Sequence, residues 1–199
     1  MTEPLWPDHA SQRVPEVLQA IVSETAALGF TMASEPKTGA LLAALAASKP
    51  GGRLLELGTG TGIGTAWLLS GMDGDARLDT VDVDEQVTAI ARRHLSSDPR
   101  LTFHLEDGAA FLSRSPKAHY DLVYADAWPG KFSHLDDALS LLTVGGVYFI
   151  DDLLPQPNWP DGHAPKVTAL IDTLESKTGF VTAKLAWASG LMMVVRTRV

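Results

Sequence analysis

Arg53-Leu54-Leu55-Glu56-Leu57-Gly58-Thr59-Gly60-Thr61-Gly62 decides the fold. The leucine-rich half predicts a short buried strand. The alternating glycines then permit a tight turn and close approach of a ligand to backbone, before a helix over 62–69 that is closed by Gly71. Neither common nucleotide pattern fits this turn. A G-x-G-x-x-G fingerprint read from Gly58 needs glycine at Ile63, one read from Gly60 needs it at Thr65, and no Gly-Lys-Ser/Thr of a Walker loop occurs. Taken by itself, the turn is either a ligand cradle or a plain strand-to-helix connection.

Outward from the turn, strand and helix alternate. Strands are predicted over 78–83, 101–105, 122–125 and 147–150, and helices over 84–95, 109–113, 134–142 and 165–176. Upstream, Val14, Val17, Leu18, Ile21, Val22 and Leu28 recur at helical spacing before Gly29. A second helix over 37–48 ends before Lys49-Pro50-Gly51-Gly52. Two last apolar runs, 181–187 and 191–196, are separated by Ala188-Ser189-Gly190, which suits an antiparallel hairpin. Alternation of this kind calls for an α/β fold: a doubly wound, mainly parallel seven-stranded sheet with helices on both faces. The reading is a single domain over 1–199, with 1–48 supplying helices over the ligand cleft and 53–199 the sheet core.

A chain of 199 residues can bury a sizeable core, and 45% hydrophobic with 20% charged residues is a globular composition. Sixteen basic against 24 acidic residues leave a net charge of −8, which argues against nucleic acid as a partner. The absence of cysteine removes disulfides, thiolate metal sites and a cysteine nucleophile. Residues 1–10 are acidic and contain proline, unlike a signal peptide, and no apolar run approaches about 18 residues. The expectation is a cytoplasmic protein with no membrane partner.

Acidic residues fall at the predicted strand ends. Glu56 and Asp82 end the first two strands, which lie side by side in a doubly wound sheet, so an acid there can accept two ribose hydroxyls. Asp107, after the third strand, stands where an adenine ring would end, and equally suits a helix N-cap. Asp126 follows the fourth strand; Asp151 and Asp152 follow the fifth. Brought together, these three could give oxygen ligands to a hard cation such as Mg²⁺. The alternative is that Asp126 positions substrate without metal while Asp152 caps a turn.

Leu54-Leu55-Glu56-Leu57-Gly58-Thr59-Gly60-Thr61-Gly62 with Asp82 resembles the cofactor-binding signature of class I S-adenosylmethionine-dependent methyltransferases. Within that class the chain is similar to the small O-methyltransferases related to catechol and caffeoyl-CoA O-methyltransferases. Thr31-Met32-Ala33-Ser34 followed by Gly39 matches the segment that folds over the cofactor's methionine part in that family. The resemblance implies cofactor contacts from Met32, Ser34, Glu56, Gly58, Thr59, Gly60, Gly62, Gly64, Asp82, Val83, Asp107, Gly108, Asp126 and Trp128. Glu56 would hold the amino end and Asp82 the ribose, with Asp107 on the adenine side and Trp128 packed near the ring. Gly64 stands where serine is common, so one side-chain hydrogen bond is missing.

In the metal-dependent members the ligand triplet is Asp, Asp, Asn, so Asp126, Asp151 and Asp152 match at two positions and depart at the third by adding charge. The resemblance thus implies S-adenosyl-L-methionine and Mg²⁺ or another divalent cation as cofactors. The lysine base of catechol-type enzymes falls three residues after the aspartate; here Pro129 stands there, and Lys131 follows within Asp126-Ala127-Trp128-Pro129-Gly130-Lys131. A Pro-Gly turn could return Lys131 to the pocket, or leave it exposed before the next helix. Catalysis is therefore assigned to Asp126 and Lys131, and His134 is read as structural or exposed. The proline-stiffened segment 153–163 should shape the substrate mouth. Trp159 and His163 are the candidate acceptor contacts, against a reading with Trp159 packed under the loop and His163 in solvent. The expected activity is methyl transfer to a hydroxyl of a small molecule. The other readings are a metal-free methyltransferase acting on an amine or hydroxyl and a silent cofactor-binding domain. Relatives that pair through terminal helices leave a homodimer open.

Overall fold

Arg53–Leu57 forms β1, buried from Leu54 onward because strands flank it on both sides. It pairs in parallel with β2 (Arg77–Asp82) and β4 (Tyr120–Ala125). β3 (Leu101–Leu105) extends the sheet beyond β2, and β5 (Leu142–Ile150) extends it beyond β4. β7 (Leu191–Arg196) runs antiparallel to β5, and β6 (Phe180–Leu185) lies outside it as the second arm of a hairpin. Among the described residues, 14–198, this computed structural model is a seven-stranded sheet of order β3-β2-β1-β4-β5-β7-β6. The order reverses between β1 and β4, and in open α/β sheets ligands bind at such a reversal, outside the carboxyl ends of the strands.

Side-chain alternation along the strands splits the core between two faces. Leu54, Leu122, Tyr124 and Phe149 point to the side covered by α1 (Leu18–Leu28), α2 (Pro36–Ala47), α3 (Ile63–Gly71) and α4 (Glu85–Leu95). Leu55, Leu57, Val123 and Tyr148 face α5 (Gly108–Arg114), α7 (Leu135–Ser140) and α8 (His163–Ser176). The doubly wound fold expected from the alternation is present. Glu56 falls between Leu55 and Leu57, so the same register carries its carboxyl to the α3 side, where it is 1% exposed.

Several local readings differ from the structure: Gly71 is the last residue of α3 rather than its stop, the cap being Met72. α1 begins at Leu18 rather than Val14, since Pro15 disfavours helical backbone at the residue before it. β5 begins at Leu142, and its pairing with β4 shifts register between Tyr120 and Leu122 around Gly145, at φ +82°, and Gly146; this shortens the helix expected over 134–142 to Leu135–Ser140. An irregular turn, α6 (Trp128–Lys131), follows β4 and was not anticipated as an element. The reading of residues 1–10 lies outside the described residues. Among the described residues no helix is long and apolar enough to cross a membrane.

Candidate active site

The glycine turn is held from three directions. Gly58 and Thr59 donate their amides to the Val81 carbonyl, Gly60 to Asp82 Oδ2 at 2.8 Å, and Gly62 to the Thr59 carbonyl. These amides are spent inside the protein, so the turn is not the ring of free N–H groups that cradles a phosphate. Gly58, Gly60 and Gly62 have φ of +100°, +53° and +92°, backbone that other residues adopt at a cost. A side chain on Gly58 would also meet the Asp126 carbonyl oxygen at 2.7 Å, so β4's exit lies directly against the turn. From above, Thr25 in α1 donates to Thr61 Oγ1, and the Phe30 ring lies by Gly60. Thr59 directs its hydroxyl down to Thr80, leaving only its backbone to face a ligand.

Glu56 lies beneath. Thr65 and Thr80 donate to its Oε2, while Oε1 is buried without a hydrogen-bond partner. Burial, aided by the charges of Asp126 and Asp82, pushes this carboxyl up to about 8 against the hydrogen bonds of the two threonines. A Cβ at Gly64 would meet Oε1 at 2.5 Å and Ser34 Oγ at 3.5 Å. The glycine that breaks the family pattern is the space Glu56 needs. Asp82, at the end of β2, accepts from the Gly60 and Asp84 amides, which fix its carboxylate beside the turn. Val83, just after β2, is 72% exposed, and Met32 and Trp128, 68% and 49% exposed, stand on the wall of the neighbouring cavity. Gly108 packs against Pro129. Asp107 is the N-cap of α5, accepting from the Ala110 amide at 2.9 Å.

Beside this crevice a cavity of about 310 Å³ is lined by the 31–35 segment, Asp126, Trp128, Lys131, Asp151, Asp152, Trp159, His163 and Ser189. Its hub is Tyr124, whose hydroxyl lies 3.0 Å from Ser34 Oγ, 3.3 Å from Asp126 Oδ2 and 2.9 Å from Asp151 Oδ2. Sequence reasoning missed Tyr124 and also Ser189, which donates to Asp151 Oδ1 from the β6–β7 turn. The signal for Tyr124 was its place two residues before Asp126, on the strand face that carries Glu56 in β1. Burial and the Asp151 charge push the Asp126 carboxyl up to about 7, opposed by Lys131. Lys131 is not exposed: the Pro129-Gly130 turn returns it inward, and its Nζ donates to the Asp151 carbonyl at 2.8 Å.

Trp159 donates its indole N–H to Asp152 Oδ1 at 2.6 Å. His163 is buried rather than in solvent, packed among the rings of Trp128, Phe132 and Trp159, with both nitrogens unpartnered and Nε2 3.6 Å from Asp152 Oδ2. Desolvation lowers its affinity for a proton, so the neutral imidazole is favoured. His134 is exposed.

The expected cation ligands do not form a cage. Asp126 and Asp151 converge through Tyr124, but Asp152 sits at φ +64° and gives its carboxylate to Trp159. Asp151 spends its oxygens on Tyr124, Ser189 and the Asp152 amide. Among the described residues no group of three His, Cys, Asp or Glu side chains is placed to hold a metal ion. The donor set as arranged does not fit Mg²⁺, which demands near-octahedral oxygen ligands.

Comparison with known proteins places this geometry in a lineage. Residues 55–153 match a family model described as a methyltransferase domain. A protein of Mycobacterium tuberculosis (strain ATCC 25618 / H37Rv), named a probable O-methyltransferase, is 36% identical over 155 residues, covering 74% of this chain and 68% of that one. Two solved structures share the fold. The Streptomyces achromogenes O-methyltransferase TomG, in complex with SAM, has a TM-score of 0.79 at 21% identity, over 94% of this chain and 92% of that one. The Bacillus cereus O-methyltransferase in complex with SAH has a TM-score of 0.80 at 19% identity, over 93% and 92%. A third of residues shared with the mycobacterial protein along most of both chains is more than a common fold would supply, and the chain belongs to the O-methyltransferase family.

Proposed function

We propose that this chain transfers the methyl group of S-adenosylmethionine to a hydroxyl of a small molecule held in the cavity beside Asp126. The observation that carries the reading is the contact of Gly58 with the Asp126 backbone, which makes one carboxylate the border between the crevice over the glycine turn and the cavity. The residues suit a nucleoside cofactor without phosphate. The amides of Gly58, Thr59, Gly60 and Gly62 are already spent, Asp82 is fixed where it can accept two ribose hydroxyls, and the orphaned Glu56 Oε1 awaits a cationic amino end near Ser34. Met32 and Val83 offer exposed apolar surface for the nucleoside, with the half-exposed Trp128, which carries the Lys166 ammonium 4.2 Å over its ring, beside them and Gly108 keeping the floor low. When bound, the cofactor supplies a methyl carbon made electrophilic by its sulfonium.

The chain's own task is alignment and proton removal. Trp159 and His163 wall the acceptor, and Asp126 receives the hydroxyl proton as the new oxygen–carbon bond forms and the carbon–sulfur bond breaks. A carboxyl held near 7 is matched to that role at neutral pH. Assistance by a divalent cation, expected from the triplet, is left out of the scheme because the donors do not fit. The test is calorimetric titration with S-adenosylhomocysteine, paired with labelled methyl transfer to catechol and to an amine. Asp82→Ala should weaken binding by about tenfold or more, the worth of charge-assisted hydrogen bonds. Asp126→Asn should spare binding, cut the rate and abolish its rise with pH through about 7. Equal loss of binding in both variants would refute the division of labour, and transfer to the amine alone would refute the hydroxyl acceptor.

A further inference from the structure

Lysine is almost never fully buried unless paired, because removing an ammonium from water costs several kcal/mol. Lys131 is 5% exposed, and a dedicated turn delivers it. Pro129 is extended and Gly130 adopts φ +95°, where a side chain would meet Leu57 Cδ1 at 2.6 Å; Tyr148 donates to the Gly130 carbonyl and clamps the bend. The ammonium so placed donates to the Asp151 carbonyl at 2.8 Å, stands 3.9 Å from Asp126 Oδ1 and lies 5.7 Å from the centre of the Phe132 ring. One backbone hydrogen bond leaves N–H donors available on a group that lines the cavity. Asp126 faces it and the Asp152 carboxylate feels its charge, while the carboxylates of Asp126, Asp151 and Asp152 are tied to Tyr124, Ser189 and Trp159 rather than gathered round an empty centre.

We infer that the Lys131 ammonium does in this chain the work a divalent cation would do among three carboxylates: it offsets their charge, directs an N–H to the acceptor oxygen as negative charge grows there, and excludes a metal ion. The inference rests on the functional reading above. It accounts for two departures from the family pattern together, since Asp152 adds a negative charge where asparagine is usual and Lys131 reaches the acids through its own turn. A metal ion entering the site would have to displace the protein donors on Asp151 and Asp152 and face an ammonium already in place.

Mn²⁺ is the probe, followed by the loss of its free-ion electron paramagnetic resonance signal on titrating the full chain saturated with S-adenosylhomocysteine. The wild type should take up no Mn²⁺ below about 1 mM. Lys131→Gln, which keeps a long polar side chain but removes the charge, should gain affinity by about tenfold or more. Uptake of one ion per wild-type chain at micromolar Mn²⁺, lost in Asp151→Asn, would overturn the inference, as would a folded Lys131→Gln that gains nothing. If that variant does not fold, the wild-type titration decides alone. Methyl transfer to catechol should persist in excess EDTA. Failure to bind S-adenosylhomocysteine at all would refute the cofactor reading, whereas Mn²⁺ uptake with that binding intact would refute only this one.

Discussion

Glu56 is a carboxyl buried with one oxygen unpartnered. Its folded value of about 8 lies above the 4.5 of an unburied glutamate, so the protein binds this proton more tightly than the unfolded chain does. The associated stability is full below about 4.5 and is lost as pH rises through about 8. Urea midpoints of the ligand-free protein should therefore fall across that window, and Glu56→Gln should remove part of the fall, Asp126, held up near 7, supplying another part over an overlapping range. Above about pH 8, where the carboxyl is ionised, the same variant should weaken S-adenosylhomocysteine binding by about tenfold or more, because a charge-assisted contact to the amino end disappears. Gly64→Ala tests the cavity above that carboxyl: a Cβ 2.5 Å from Oε1 should cost about 1–3 kcal/mol in denaturation. The sequence offered Glu56 as a ligand holder from its place at the strand end, but its depth and its orphaned oxygen follow from register and from α3, which no spacing displays.

Elements whose ends are marked by a local chemical signal were the ones sequence located. Gly29 closes α1 in left-handed backbone, Asp84 accepts from the Gln86 and Val87 amides to start α4, and β1 and β3 begin and end where the apolar runs do. Apart from the start of α1, where Pro15 was the overlooked signal, the failures share a cause: β5 bends at Gly145-Gly146 and α6 folds at Pro129-Gly130, and such irregular backbone is shaped by what it packs against rather than by periodicity. That is why Lys131 could be read either inward or outward. Asp107 shows the converse, since both of its readings were open and the structure shows the helix cap. Asp107→Ala should lower stability by about 1 kcal/mol through loss of the α5 cap. Unchanged S-adenosylhomocysteine affinity in that variant would confine Asp107 to the helix; weakened affinity would give it both roles.

Across the molecule, the decisive fact is that parallel strands deliver their carboxyl ends to one edge. Glu56, Asp82 and Asp126 arrive from three adjacent strands, Asp151 and Asp152 from a fourth, and the β6–β7 turn adds Ser189. Their convergence was legible as soon as the alternation of strand and helix was recognised. Their hydrogen-bond partners were not, because Tyr124, Ser189 and Trp159 come from separate parts of the chain and meet only after folding. Those partners tie up the oxygens of Asp151 and Asp152 on the side of the site where Lys131 stands 3.9 Å from Asp126. The most direct test is a crystal structure of the protein with S-adenosylhomocysteine. The ribose hydroxyls should lie on the Asp82 carboxylate, the amino group beside Glu56 and Ser34, and the sulfur facing Asp126. A ligand seated elsewhere, with Asp82 and Glu56 untouched, would contradict that placement.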